Sequence, residues 1–436
     1  MRKPLWLLVS MIVLFLCAHT VSPQSLSGQD RDRGLIMLKA LRDDIRAYYY
    51  DPGLRGIDLD ARTKVAENRI KQAKSNAEVF GIIAQVMMEF NDSHTIFLPP
   101  QRASRTEYGW QLQTFGDDPY VIAVKPKSDA EAKGLKPGDK VLAIDGVVPG
   151  RANLWVYYYL YNVLKPRQIV DLQVQSPGEQ PRQLELKAKI QTGKIVFDLT
   201  SSHDLNAYWR NLEDEARMNA HRFVEVGNDI IIWRLPSFDL TEDGVDEYVD
   251  KVKKAKTLIL DLRRNGGGAV ETLRRLVGNL FDRDITIGNM KLRKEAKPML
   301  AKTRGADGFK GRLIILVDSN SGSASEILAR VVQLERRGTV IGDRTSGKVM
   351  RSRIYPHQIG LDTVVFYALS VTDADLIMAD GQSLENVGVV PDELVLPTAE
   401  DLRSQKDSVL SRAVAMAGGT LDPVEAGKLF PFKWKP

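Results

Sequence analysis

Residues 317–328 read VDSNSGSASEIL, with serines at alternate positions Ser319, Ser321, Ser323 and Ser325. Just upstream, Leu313 to Val317 is a short continuous apolar run, the signature of a strand buried on both faces. Just downstream, Ile327, Leu328, Val331 and Leu334 follow helical spacing and place a helix start near Ser323 to Ser325. The stretch is therefore a strand-to-helix junction. The first N–H groups of a helix lack intrahelical partners and can face an oxyanion, with the N–H of Ala324 the natural donor. Ser323 fits two readings here: a nucleophile at the junction, or an ordinary helix N-cap.

The same alternation continues on both sides. Ile230 to Leu235 reads as a strand, Val245 to Val252 as a helix, Thr257 to Leu262 as a buried strand and Thr339 to Ile341 as another. Short β-α-β units predict a mostly parallel sheet covered by helices, with ligands at the carboxyl ends of its strands. After Leu262 comes Arg263-Arg264-Asn265-Gly266-Gly267-Gly268. Glycines there let a substrate approach the backbone, so Gly267 or Gly268 is a candidate second oxyanion donor; the alternative is a plain tight turn. No Gly-Lys-Ser/Thr ends the loop, which argues against phosphate cradling. A serine hydroxyl needs an adjacent base. Lys348, after Thr345-Ser346-Gly347, is a candidate if burial keeps it neutral, and otherwise a surface lysine.

Upstream, residues 26–33 are polar and read as a flexible lead. Helical spacing follows from Gly34 to Tyr48, over Ala61 to Ala73, and after the Ser75/Glu78 capping pair. From residue 106 short β patterns alternate with turns. Tyr108-Gly109-Trp110 and the run GLKPGDKVLAIDG resemble a PDZ domain over residues 106–190. That resemblance implies a peptide added as a strand, its carboxylate held by N–H groups of Tyr108, Gly109, Trp110, Gln111 and Leu112.

The chain has 436 residues, a net charge of +5 and a single cysteine. No Lys/Arg tract with interleaved aromatics occurs, which speaks against nucleic-acid binding. Basic residues followed by the apolar run Leu5 to Ala18 read as a signal peptide over residues 1–25, too short to span a bilayer. Export to the periplasm or cell envelope is expected, with membrane association only through that leader or a lipid on Cys17. A mature chain without cysteine has no disulfide or thiolate metal site, and His203, His221 and His357 lack ligand spacing; no metal or organic cofactor is expected.

Four motifs in order, DLRRNGGG, GSASEIL, TVIGDRTSGK and ADGQSLENVGVVPDE, are similar to those of the carboxyl-terminal processing peptidases, or tail-specific proteases. The resemblance implies a serine peptidase acting on unfolded or C-terminally tagged polypeptides. It implies an α/β core of the ClpP/crotonase type, preceded by a helical region and a PDZ-like domain. It places the nucleophile at Ser323, the base at Lys348 and the oxyanion glycines at Gly267 and Gly268, beside Ala324. Where many members carry a glutamine that positions the lysine, this chain has Ser352. Related tricorn-type peptidases use a Ser-His pair from the upstream helical region, which makes Ser93 and His94 an alternative base. The expected layout is a leader to residue 25, helices over 28–105, the PDZ-like unit over 106–190, the peptidase core over 191–400 and a tail over 401–436. The rival readings are a catalytically silent peptide-binding scaffold and an acyl-CoA enzyme of the crotonase type.

Overall fold

A computed structural model describes residues 26–100, 104–192, 220–360 and 364–434. The leader, Cys17 and His203 lie outside them.

The strand before the serine loop, Arg312–Val317, sits inside a six-stranded sheet. The order runs Glu393–Leu394, Gly338–Gly342, Arg312–Val317, Thr257–Asp261, Ile230–Arg234, Arg222–Val226. All neighbours are parallel except the last pair, which is antiparallel. The period-2 alternation of side chains divides the apolar runs between two cores. Leu258, Leu260, Leu313, Ile315 and Val317 face the helices Glu242–Val252, Val270–Leu280 and Ala324–Leu334. Ile259, Ile314, Leu316 and Ile341 face Val409, Leu410, Ala413 and Val414 of the helix Ser408–Met416. The C-terminal segment is thus a structural cover for the sheet. The strands read as unbroken hydrophobic runs because both faces are covered.

A second, antiparallel sheet was not evident from the sequence. Val365–Met378 pairs with Ile96–Leu98, Ile285–Leu292 and Arg351–Ile359, and Ala296–Ala301 completes it. The expectation of a mostly parallel architecture therefore holds for one sheet only. The N-terminal helices Gly28–Tyr48, Leu59–Gln72 and Asn76–Met88 pack on this second sheet. Leu38, Leu41 and Ile83 share a core with Tyr367, Leu369 and Val371. The first helix begins six residues earlier than the apolar spacing suggests, capped by the Ser27 side chain accepting from the Asp30 N–H. Residues 28–33 are therefore helical; their polarity reflects solvent exposure of the first turns.

Between these parts lies a five-stranded antiparallel sheet, Trp110–Phe115, Asp118–Val124, Lys140–Ile144, Ile169–Gln175, Arg182–Lys187, in that order. The helices Asp129–Ala132 and Leu154–Tyr159 cover it. Its first strand is an edge and faces the serine loop.

Candidate active site

Each serine of the opening stretch has a distinct task. Ser319 Oγ donates to the Thr114 carbonyl (2.6 Å) and ties the loop to the edge strand of the five-stranded sheet. Ser321 Oγ donates to the Leu262 carbonyl (2.8 Å) and Ser325 Oγ to the Asn265 carbonyl (2.9 Å), binding the loop to the glycine segment. Ser323 stands at the helix start with φ 53° and ψ −117°. A non-glycine residue there costs about 1–3 kcal/mol and persists only where the surroundings impose it. The Ser323 N–H donates to the Lys348 carbonyl (2.8 Å) and to Glu326 Oε2 (3.0 Å).

Glu326 is the hub of that constraint. Fully buried, it also accepts from the Thr345 hydroxyl (2.6 Å) and the N–H groups of Gly347 (2.7 Å) and Lys348 (2.9 Å). Burial raises its pKa, against the pull of these donors. Its local sequence signal is the Ser-x-x-Glu spacing of a capping box.

The glycine segment lies directly against Ser323. A Cβ on Gly267 would stand 2.6 Å from that of Ser323, and one on Gly268 2.5 Å from the Phe238 carbonyl oxygen. Both adopt positive φ, 101° and 149°. The expected donors separate here. The Gly267 N–H is engaged by Asn265 Oδ1 (2.8 Å), which corrects its assignment as an oxyanion donor. The N–H groups of Gly268 and Ala324 have no hydrogen-bond partner among the described residues.

His94 and Ser323 line one cavity of about 260 Å³, together with Gly266, Gly268 and Ser352. His94 Nδ1 lies 2.6 Å from Ser93 Oγ, which lies 3.0 Å from Glu385 Oε2. Glu385 further accepts from the Ser93 N–H (2.7 Å) and the Val349 N–H (2.9 Å). A hydroxyl has one proton. With Glu385 ionised, Ser93 donates to it, so His94 Nδ1–H donates to Ser93 and Nε2 keeps its lone pair. Asp92 fixes the turn by accepting from the His94 N–H (3.0 Å), the Thr95 N–H (2.7 Å) and the Tyr49 hydroxyl (2.8 Å). Burial first, then the charge of Lys348, lowers the His94 pKa, while Asp92 opposes them.

The charge of Lys348 reaches His94, Glu326 and Glu385, but its side chain takes another contact. Its Nζ lies over the Trp155 ring, 5.5 Å from the centroid, and the residue is not among those lining the Ser323 cavity. Burial lowers its pKa; Glu326 and Glu385 oppose this. No hydrogen bond joins Ser352 to Lys348 among the described residues. Those residues also contain no cluster of three metal-ligating side chains, and no helix among them is long and apolar enough to cross a membrane.

Residues 229–395 match the model of peptidase family S41. The chain carries a peptidase family S41 domain. It is 30% identical over 353 residues to a tail-specific protease of Haemophilus influenzae, covering 77% of this chain and 48% of that protein, about half of the relative's length. It is 26% identical to a chloroplastic C-terminal processing peptidase of Tetradesmus obliquus, covering 84% of this chain and 78% of the relative. Among solved structures, mature CPAF aligns with a TM-score of 0.63 at 14% identity, covering 86% of this chain and 95% of that one. The photosystem II D1 C-terminal processing protease aligns with a TM-score of 0.51 at 20% identity, covering 84% and 94%. At these identities the structures support the fold alone.

The S41 domain meets the five-stranded sheet through buried polar contacts. Gln113 Nε2 donates to Asp318 Oδ2 (2.8 Å), and Arg151 pairs with Asp343 (2.5 Å). The segment expected to bind peptide, Tyr108 to Leu112, lines a separate cavity at this junction. Its strand edge is closed at Leu112. The Tyr158 hydroxyl accepts from the Leu112 N–H (2.9 Å) and from Gln111 Nε2 (3.0 Å), and donates to the Leu112 carbonyl (2.8 Å). One side chain thus takes both backbone groups that an added strand would use at that residue, so Leu112 cannot serve as a carboxylate donor in this state. Tyr158→Phe leaves those groups unpaired and is expected to lower stability by about 1–3 kcal/mol. Urea unfolding measures this; a midpoint unchanged from wild type means that the contact contributes nothing.

Proposed function

We propose that the protein is an exported serine endopeptidase that cleaves unfolded or C-terminally tagged polypeptides through an acyl-enzyme at Ser323. The carrying observation is the shared cavity of Ser323 and His94, with His94 backed by the chain Glu385–Ser93–His94. His94 Nε2 takes the Ser323 proton as Oγ attacks the scissile carbonyl. The N–H groups of Ala324 and Gly268 receive the oxyanion. The tetrahedral intermediate collapses, the C–N bond breaks, and the amine leaves with the proton from His94. Water, deprotonated by the same imidazole, then hydrolyses the ester and restores Ser323. Met290, Met299, Ile327 and Leu376 line the cavity, which suits an apolar side chain next to the cut bond. The five-stranded sheet acts as a PDZ-like module that delivers polypeptide to the S41 domain.

The test is mass spectrometry of a disordered protein incubated with wild type and with Ser323→Ala. Wild type yields fragments and the variant none; identical products from both, or none from wild type, contradict the reading.

Lys348 as base is the second reading, favoured by its depressed pKa and by the bond from the Ser323 N–H to its carbonyl. The pH profile separates the two. A base works unprotonated. With His94, activity is full above its pKa and is lost as pH falls through it, and that pKa lies below the ordinary ~6.5 of histidine. The acid limb of kcat/KM is therefore expected below pH ~6.5 and is retained in Lys348→Ala, moved upward because the lysine's charge no longer lowers the His94 pKa. With Lys348, activity climbs through the lysine's own pKa, itself lowered by burial, so a limb that vanishes in Lys348→Ala and stays in His94→Ala supports the Ser-Lys reading.

A further inference from the structure

The cavity at the junction encloses about 530 Å³ and is distinct from that of Ser323. One wall is aromatic, with Tyr157, Tyr158 and Tyr161 beside the edge strand; the other brings Arg222, Arg234 and Arg264 of the S41 domain side, with the tail residues Phe430 to Trp434 between them. Arg234 is neutralised by Asp261 (2.7 Å). Arg222 and Arg264 have no ion-pair partner among the described residues; their guanidiniums lie over the rings of Phe430 and Phe432, at 5.7 and 4.5 Å from the centroids. Burial and the charge of Arg234 lower the pKa of both. The other charged groups lining the cavity are Arg105, Lys433 and Glu107, and Glu107 is already paired with Lys125 (2.7 Å). The lining therefore carries a positive excess; the one carboxylate acting on Arg264, that of Asp318, lies outside the lining and makes no ion pair with its guanidinium.

The edge strand limits what can enter. Tyr158 occupies Leu112, and Ser319 takes the Thr114 carbonyl. A ligand cannot run along this edge as a full added strand in this state. Space and charge remain for a chain end. A carboxylate accepts two N–H donors from a guanidinium in a planar fork, and such charge-assisted bonds are about twice as strong as neutral ones. We propose that this cavity captures the free α-carboxylate end of a polypeptide, with Arg264 and Arg222 binding the carboxylate and the aromatic walls taking the terminal side chain. The inference rests on the peptidase reading and deepens it. It moves terminus recognition from the Tyr108 to Leu112 backbone to arginines adjoining the S41 domain. Arg264 immediately precedes Asn265 and the oxyanion glycines, and its N–H donates to Asp318 (2.9 Å), the carboxylate that also receives Gln113. Terminus capture and the catalytic loop thus share one residue.

The test uses fluorescence anisotropy with the full chain carrying Ser323→Ala, so that nothing is cut. Two fluorescein-labelled peptides of one sequence, ending in Leu-Val as the free acid or as the amide, are titrated against it. The acid is expected to bind about tenfold more tightly, a difference of about 1.4 kcal/mol. In Arg222→Gln/Arg264→Gln that preference falls to about twofold or less, with binding of the amide retained, whereas Arg264→Lys keeps part of it. Equal binding of acid and amide to the unsubstituted site overturns the proposal whatever the fate of the variants. So does a preference that survives in the double variant. Because binding is read without cleavage, a wild type that cuts nothing yet prefers the acid defeats the peptidase reading alone. A wild type that cuts but shows no preference defeats this one alone.

Discussion

His94→Ala is expected to lower kcat on a fluorogenic peptide by on the order of 10⁶-fold, as much as Ser323→Ala, with no further loss when the two are combined. The reason is that nucleophile and base act as one unit: without the imidazole the hydroxyl keeps its proton, and without the hydroxyl the imidazole has nothing to activate. Ser93→Ala and Glu385→Gln are expected to fall less far, on the order of 10⁴-fold. They leave the ring in place, but Ser93→Ala removes the hydroxyl that accepts from Nδ1–H, and Glu385→Gln removes the carboxylate that fixes the direction of that hydroxyl, so the tautomer with a free Nε2 is no longer selected. These are positioning residues, and their mark is a loss in kcat with little change in KM. Lys348→Ala tests the rival directly. If it loses as much as Ser323→Ala while His94→Ala retains turnover, the lysine is the base and the histidine chain is structural.

The comparison of these residues shows what a single sequence can reveal. Ser323 was legible because its neighbours repeat with local periods: a continuous apolar run before it, helical spacing after it. Glycines 266–268 were legible for the same reason, lying after a buried strand. Glu326 sits three residues after Ser323 in a known local spacing, yet four of its five acceptor contacts reach across to residues 345–348 and carry no local sign. Glu385 is farther out of view. Its bond to Ser93 spans 292 residues and exists only because Ile96–Leu98 joins the sheet of Val365–Met378. That sheet itself escaped the sequence reading because the buried face of its long strand switches at a register shift, from Tyr367, Leu369 and Val371 to Thr372, Ala374 and Leu376, which blurs the period. Lys348 illustrates the opposite error source: a motif fixes where a residue lies on the backbone, here bonded to Ser323, and leaves open where its side chain goes. The ammonium turns to Trp155. Tyr158 is a case of a tertiary contact overriding a module's usual use, since its hydroxyl occupies the strand edge that a PDZ resemblance assigns to a ligand.

Gly267→Ala is expected to lower kcat by about 10²- to 10³-fold while the protein stays folded. The magnitude is that of losing one oxyanion donor, although Gly267 itself donates to Asn265 rather than to substrate. The loss arises through its neighbours. A methyl group at Gly267 stands 2.6 Å from the Ser323 Cβ and 3.0 Å from the Ala324 nitrogen, so either the nucleophile's elbow or the glycine loop must move. Movement of the elbow turns Oγ and the Ala324 N–H away together; movement of the loop carries off the Gly268 N–H. The backbone adds a second penalty, because φ of 101° is unfavourable for alanine, by about 1–2 kcal/mol. That is small against the 5–15 kcal/mol stability of an ordinary domain, so the kinetic loss is measured on native protein. Gly266→Ala supplies the contrast: its methyl meets no atom within 4 Å, and its loss of kcat is expected to be far smaller. If Gly267→Ala instead turned over within about threefold of wild type, less than 1 kcal/mol of barrier, close packing of this glycine on Ser323 would have no part in catalysis.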